Sequence, residues 1–477
     1  MKNLSQIKSP EDKALMDKAF SSGQGHIFRF WDELSSDGKS TLLEQIREID
    51  FDLIARLVAE YIKTERPKKS KGRLETAEII GLPETEEQKR KREEARRIGE
   101  AALRAGKVAA LVVAGGQGTR LGFDHPKGAF PISPIAGKTL FQIHAEKILA
   151  LGRKFGSQIP WYIMTSRTND QESREFLEQK KFFGLPPEDV FFFEQGVLPA
   201  VDKEGSFLMD AKDHIFTSPN GHGGSLLALG DSGALDDMRR RGIQEIYYFQ
   251  VDNPLLRICD PAFIGFHLSA EAEMSSKVLK KRDPEEKVGV IGMVGGKTMV
   301  IEYSDLSKKD MYATLPDGSL KYSAGSIAIH MIDVDFVQKI LDAGFPLPYH
   351  PAKKKVPYID EAGRPRQPDE PNGIKFELFV FDALSLARRS ITMETTREEF
   401  APVKDAQGID SPRSARVAMT SLFASWLEAA GINVPRTEDG KSKFTLEISA
   451  LFALDAEELA GKVDKNLRIC GDLYLGE

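Results

Sequence analysis

The segment Ala114-Gly115-Gly116-Gln117-Gly118-Thr119-Arg120-Leu121-Gly122, followed closely by Pro126-Lys127, gathers the groups that could hold phosphate. Glycines let backbone N–H groups approach phosphate oxygens with no side chain in the way. Arg120 and Lys127 add two cations at the same place. The dinucleotide fingerprint G-x-G-x-x-G does not fit, because the third glycine position is Leu121. The Walker pattern needs a glycine five residues before Gly-Lys-Ser/Thr. Ile132 stands there for Gly137-Lys138-Thr139, and Glu33 for Gly38-Lys39-Ser40. What remains is a phosphate-cradling loop of another kind.

The elements around the loop explain how it would be positioned. Lys107 to Ala114 (KVAALVVA) is a short apolar run ended by glycine, as expected of a strand buried on both faces. The loop then leaves the carboxyl end of a strand, where open α/β sheets bind ligands. Downstream, helices are expected at Thr139 to Leu151, Gln171 to Phe183 and Leu226 to Arg241. Strands are expected at Trp161 to Thr165, Val190 to Glu194 and Glu245 to Val251. This alternation predicts a mostly parallel sheet covered by helices. Beyond Lys277 the chain turns strand-rich, at Val288 to Met293, Lys297 to Tyr303 and Ser323 to His330. His350 to Asn372, rich in Pro, Lys and Asp, reads as a long loop.

The spacing of apolar residues before residue 100 is helical, from Phe28 and Trp31 to Leu57 and Val58. Thr64 to Arg73 (TERPKKSKGR) reads as a basic linker, and Glu86 to Arg97 as a charged, solvated helix face. The last segment mixes an amphipathic helix, Ala415 to Ala430, with short strands. The expected division is a helical region over 1–100, a catalytic domain over 101–396 and a small α+β domain over 397–477.

The 477 residues are 41% hydrophobic and 29% charged, which suits a globular chain of two or three domains. The net charge of −6 argues against nucleic acid as a partner. Two cysteines, Cys259 and Cys470, lie far apart with no CxxC or zinc spacing. The polar start MKNLSQIKSPEDK lacks an apolar signal stretch. No run approaches the roughly 18 apolar residues needed to span a bilayer. A cytoplasmic monomer with no membrane partner is the expectation.

At the glycine loop the chain resembles the eukaryotic-type UDP-sugar pyrophosphorylase family, above all its UDP-N-acetylglucosamine pyrophosphorylases. That family's L-A-G-G-Q-G-T-R-L-G and P-K-G stand here as Val113 to Gly122 and Pro126-Lys127-Gly128. The likeness continues through FRFWDEL (Phe28 to Leu34), KTLFQIHAEKI (Lys138 to Ile148), YIMTS (Tyr162 to Ser166) and FFEQGVLPA (Phe192 to Ala200). It runs on through VDNPL (Val251 to Leu255), VIEYSDL (Val300 to Leu306), NGIKFELFVFD (Asn372 to Asp382) and EEFAPVKDA (Glu398 to Ala406).

The resemblance implies an α/β fold of the nucleotide-diphospho-sugar transferase kind, with a Rossmann-like mixed sheet. It implies a uridylyltransferase that joins UTP to a sugar 1-phosphate, N-acetylglucosamine 1-phosphate or a related hexose phosphate, and releases pyrophosphate. A glucose-specific or broad UDP-sugar enzyme is the alternative. Carried over residue by residue, Ala114, Gly115 and Gly116 would hold the nucleotide, Gln195 and Gly221 the uracil. Arg120, Lys127 and Lys375 would act on the phosphates, and Asp252 would hold Mg²⁺. Gly289 and Glu302 would contact the sugar.

These residue types suit the chemistry. A sugar phosphate oxygen is already nucleophilic at neutral pH, so no Ser, Cys or His nucleophile is needed. The demand is for charge neutralisation and in-line positioning. Two positions depart from the acetylglucosamine pattern. His222 stands where those enzymes carry Asn, and Ser326 stands in place of Asn in an A-G-N motif. Both alter hydrogen-bonding groups in the presumed sugar pocket and leave the sugar open. His222 is expected to contact phosphate or sugar rather than to act as a base. His125 would cap the loop, whereas His144, His267 and His330 lie in apolar stretches and read as core. Phe191-Phe192-Phe193 reads as core strand.

Overall fold

The computed structural model describes residues 9–64 and 72–477, so most of the basic linker lies outside the described residues. Packing divides them into two compact units. The sheet unit comprises Gly72–Gln195, Ser225–Pro346 and Phe381–Glu477, and the helical unit comprises 9–64, Gly196–Gly224 and Leu347–Val380.

The sheet unit is built on a ten-stranded mixed sheet. Its strands are β1 (Leu74–Thr76), β2 (Val108–Val113), β3 (Trp161–Thr165), β4 (Val190–Glu194), β5 (Glu245–Gln250), β6 (Met274–Lys280), β7 (Val290–Val294), β8 (Lys297–Ile301), β9 (Ala324–Asp333) and β10 (Thr392–Glu394). The main path runs β1-β7-β9-β5-β2-β3-β4. β2, β3, β4 and β5 are mutually parallel neighbours, whereas β9 runs antiparallel to β5 and β7 antiparallel to β9. The expected mostly parallel sheet is thus a parallel half joined to an antiparallel half.

Burial explains why the parallel half was legible. Val108, Ala109, Ala110, Leu111 and Val112 are at most 1% exposed. Such a strand needs apolar residues on both faces, so it reads as a continuous run. Helix α2 (Leu140–Phe155) covers it, starting at Thr139, whose hydroxyl accepts from the Gln142 N–H, and ending at Gly156 with φ +66°. A hydroxyl cap and a left-handed glycine are the usual helix boundaries.

Helix α1 (Glu86–Arg104) holds the charge run, and its exposed ion pairs fit a solvated face. Its other face packs on α3 (Pro261–Ser269) with almost no space between the backbones. A Cβ on Gly99 would stand 1.9 Å from Pro261 O, and one on Gly265 only 1.7 Å from Ala95 O. Helix α4 (Pro412–Ala429) sends Ala415, Met419, Phe423 and Leu427 into the same apolar core as β2. Residues 397–477 therefore share a core with the sheet, and α1 belongs there too. This differs from the division into 1–100, 101–396 and 397–477, because apolar contact and not chain order sets the units.

The helical unit packs Pro10–Ser21, Ser36–Glu48 and Phe51–Val58 around Phe28, Trp31, Leu42 and Phe51, together with Phe207, Ile215 and Phe376. Two expectations are corrected. The loop expected from His350 to Asn372 contains a strand, Tyr349–Lys354, paired antiparallel with Gly373–Leu378. Lysines and Pro351 on a two-stranded edge hid it. The helix expected from Leu226 to Arg241 is two helices, Gly224–Asp231 and Ala234–Arg240, broken at Gly233 with φ +76°. Among the described residues no helix is long and apolar enough to cross a membrane.

The Gly99–Gly265 crossing is a sharp packing test. Gly265→Ala should lower the urea midpoint of the sheet unit, costing about 1–3 kcal/mol from overpacking. Gly106→Ala, at the end of α1 with φ +66° and open space around it, tests left-handed backbone strain without overpacking.

Candidate functional site

β2 and β5 run parallel in register, with Val113 opposite Gln250. Their carboxyl ends therefore release Gly115 and Asp252 at the same end of the sheet. Ala114 is fully buried, and its N–H donates to Met164 O at 2.8 Å. The loop carbonyls are then tied to the next strand's turn. Asn169 Nδ2 donates to Ala114 O at 2.8 Å and Gly116 O at 3.3 Å, and Ser166 Oγ donates to Gly115 O at 2.8 Å. Gly118 N–H donates to His125 O, and Lys127 N–H to Gly116 O, closing the loop.

Gly115, Gly116 and Gly118 stand in different surroundings. A Cβ on Gly115 would stand 3.0 Å from Gln195 Oε1. One on Gly118 would stand 2.6 Å from Phe123 O, whereas one on Gly116 would meet nothing within 4 Å. Gly116 thus presents bare backbone toward open space, as a loop that approaches phosphate requires. Gln195, only 8% exposed, is held by its N–H on Thr165 O at 2.8 Å. Its carboxamide lies beside Gly115.

The charges are arranged with equal economy. Lys127 Nζ stands 3.7 Å from Asp252 Oδ2, and each side chain is 12% exposed. Arg120 is far more exposed and stands 3.6 Å from Asp405 Oδ1. Asp252 is fixed through its backbone, since its carbonyl accepts from Val403 N–H at 2.9 Å. Next to it, Asn253 Nδ2 donates to Glu399 O at 2.8 Å while its Oδ1 accepts from Ala401 N–H at 3.1 Å. A strap over 399–405 is therefore stitched to the Asp252 turn. Asn253 and Asp405 were not singled out from sequence. Both stand inside the quoted VDNPL and EEFAPVKDA segments, but neither residue type alone announces a role.

Gly289, Glu302 and Ser326 also come together. β9 runs antiparallel to β5, so its first residues lie at the same sheet end as Asp252. Ser326 N–H donates to Gly289 O at 2.8 Å, and a Cβ on Gly289 would stand 3.4 Å from Glu302 Oε1.

Gly221, His222 and Lys375 belong to the helical unit. Gly221 has φ +88°, and a Cβ there would stand 2.4 Å from Leu378 O. Leu378 N–H donates to Asn220 O at 2.7 Å and Gly223 N–H to Leu378 O at 2.8 Å, so the glycine turn is clamped on the strand that carries Lys375. His222 Nδ1 accepts from Val380 N–H at 3.3 Å, and its ring stacks on Phe379, which also stacks on His350. Burial, and then the charge of His350, push the His222 pKa down to about 4. At neutral pH the ring is uncharged and brings no cation to a phosphate. Lys375 Nζ lies 4.8 Å from the centre of the Phe216 ring. Its pKa is lowered chiefly by burial, with Glu377 opposing and Lys354 reinforcing the shift.

His144, His267 and His330 are fully buried core residues. His125 does more than cap the loop, because its ring pairs with Glu172 and packs on Phe123. Phe193 is core, whereas Phe191 and Phe192 are half-buried, Phe192 lying under the Arg174 guanidinium at 4.6 Å.

A glycine loop, a lysine–carboxylate pair and a clamped strap at the carboxyl end of the sheet's parallel half suit a nucleotidyltransferase. Residues 54–420 match the UTP–glucose-1-phosphate uridylyltransferase family, and the chain belongs to it. It is 39% identical over 434 residues to the UDP-N-acetylhexosamine pyrophosphorylase-like protein 1 of Xenopus tropicalis, covering 87% of this chain and 84% of that one. It is 37% identical over 462 residues to the UDP-N-acetylglucosamine pyrophosphorylase of Saccharomyces cerevisiae, covering 92% of this chain and 96% of that one. The crystal structure of the uridine diphosphate N-acetylglucosamine pyrophosphorylase from Trypanosoma brucei superposes with a TM-score of 0.79 at 27% identity, covering 95% of each chain.

Two outcomes follow from this geometry. Gly115→Ala should push Gln195 aside and lower kcat/KM by about 10²-fold, the cost of misplacing bound groups, with an unchanged melting temperature. His222 and His144 have folded pKa values lowered to about 4 and about 3, so the unfolded chain binds more protons between those values and about 6.5. Stability should therefore be fully present above pH 6.5 and fall toward pH 4, and His222→Asn should flatten part of that slope in urea titrations.

Proposed function

We propose that the protein transfers uridylyl from UTP to N-acetylglucosamine 1-phosphate or a related hexose 1-phosphate, giving UDP-sugar and pyrophosphate. The observation that carries this reading is the Lys127–Asp252 pair, 3.7 Å apart and nearly buried beside the Gly115–Gly116 loop. A sugar phosphate oxygen attacks the α-phosphorus, a new O–P bond forms, and the bond from that phosphorus to the bridging oxygen breaks. Pyrophosphate leaves with the electron pair. No protein nucleophile is consumed and no proton need move.

The chain's part is to hold two anions together. Ala114, Gly115 and Gly116 receive the nucleotide, with Gln195 and Gly221 assigned to the base. Lys127, Arg120 and Lys375 offset the phosphate charge, and the lowered pKa of Lys375 reflects a site where a cation gains most from an anionic ligand. Gly289, Glu302, Ser326 and the neutral His222 are assigned to the sugar.

Magnesium fits the residues present. Among the described residues no cluster of three metal-ligating side chains exists, and Asp252 is a single carboxylate. Mg²⁺ commonly takes one or two carboxylates and completes its shell with water and substrate phosphates. Asp252 would hold it, and when bound it would supply further neutralisation of the phosphates.

The names of the relatives favour an acetylated hexosamine. The histidine at 222 and the hydroxyl at 326 favour a second reading, a glucose-specific or broad UDP-sugar enzyme. A cytoplasmic monomer acting without nucleic acid or membrane completes the proposal.

The deciding assay is pyrophosphate release with UTP and glucose, galactose, N-acetylglucosamine or N-acetylgalactosamine 1-phosphate. N-acetylglucosamine 1-phosphate should give the highest kcat/KM, and no release with any of the four would sink the reading. Asp252→Asn should abolish turnover while UDP-sugar binding stays measurable by calorimetry. Lys127→Ala should lower kcat on the order of 10²-fold through lost transition-state charge stabilisation.

A further inference from the structure

A cavity of about 640 Å³ opens in the sheet unit, with none of its wall formed by the glycine loop. Its volume is that of a small-molecule site. Its wall is strongly charged, but most of the carboxylates are already engaged. Glu93 and Glu100 pair with Arg96 at 2.7 and 2.6 Å. Asp260 and Glu399 share the fully buried Lys277 at 2.7 and 2.9 Å.

Three cations in the wall lack that satisfaction. Arg92 Nη1 is buried without a hydrogen-bond partner. Arg257 opens onto the cavity and, among the described residues, has no carboxylate within ion-pair distance; Asp260, Glu399 and Asp455 act on it from farther away. Lys147 donates to two backbone carbonyls, Pro254 O at 2.6 Å and Leu256 O at 2.8 Å, and to no carboxylate. Guanidinium groups match the oxygens of a phosphate in paired hydrogen bonds.

Helix α2, which gives Lys147 to this wall, also holds Asp252 in place. Lys147 grips the turn just after Asp252, and His144 Nε2 donates to Val251 O just before it at 2.9 Å. The wall segment 395–399 leads into the strap that Asn253 binds through Glu399 O. A ligand in the cavity therefore touches both segments that position Asp252.

We propose that this cavity is a regulatory site for a small phosphorylated metabolite, recognised by Arg92 and Arg257. Its phosphate draws Lys147 from the Pro254 and Leu256 carbonyls, loosens the Asp252 turn and lowers kcat. The coupling to kcat rests on the assignment of Asp252 to the active site; the binding does not.

Trp426 lines the cavity, whereas the other two tryptophans, Trp31 and Trp161, do not, so fluorescence reads occupancy without turnover. Inorganic phosphate and glucose 6-phosphate are titrated into the full chain against chloride at equal ionic strength. A saturable change is expected, tighter for the sugar phosphate, lost in Trp426→Phe and weakened at least about ten-fold in Arg257→Met, the equivalent of about 1.4 kcal/mol. Arg257→Met should retain its activity without the ligand, and glucose 6-phosphate should lower kcat in the native protein with KM unchanged. No saturable change, or a change that persists in Trp426→Phe or Arg257→Met, overturns the site. Binding with kcat unaffected overturns the regulation. Arg92→Met, on the side of α1, gives the same test if Arg257→Met melts early.

Discussion

Strand β2 is hydrogen-bonded on both edges, to β3 and β5, and covered on both faces. Its last residue fixes where the chain can turn, and the turn is where Gly115 and Gly116 lie. A shift of one residue would reverse every side chain of β2 and bury the loop's polar neighbours in the core. The position of Asp252 depends on the same register, because it leaves β5 at the level where Gly115 leaves β2. The glycine loop is therefore an extension of sheet geometry, with its carbonyls held by Ser166 and Asn169.

This constraint explains how a lysine and a carboxylate can face each other with so little solvent. Two opposite charges removed from water are costly unless their geometry is imposed from elsewhere. Here it is imposed from the backbone. Val403 bonds the Asp252 carbonyl, Asn253 fixes the strap, and Lys277 holds Glu399 from inside the core. The Asp252 carboxylate itself is left to Lys127 and to whatever the loop receives. That division, a fixed backbone with a charge kept for a ligand, suits a reaction whose main requirement is neutralising phosphate.

The helical unit is organised on another principle. Its glycine turn is held open by positive φ at Gly221 and by close approach to Leu378, where a side chain would not fit. The histidine beside it is stacked and desolvated until it is neutral. A neutral ring can select a sugar or phosphate contact by shape and hydrogen bonding, without adding charge. Lys375, half-buried over Phe216, supplies the unit's cationic group among the assigned residues.

The sequence by itself determined the glycine loop, its two cations and the buried strands that carry them, because a strand covered on both faces must be apolar throughout. It also determined the family, since quoted motifs from FRFWDEL to EEFAPVKDA span the chain. Much of the rest was decided only in three dimensions. The edge strand at Tyr349–Lys354 has the composition of a loop, and its pairing with Gly373–Leu378 is a long-range choice. The break at Gly233 is a local backbone conformation inside an otherwise helical pattern. The placement of 397–477 on the sheet's core follows from apolar faces that could have packed elsewhere. The partners of Asp252 come from residues about 150 positions away. Residue type and spacing along the chain reveal periodicity and local chemistry, whereas which distant groups meet depends on the whole packed sheet.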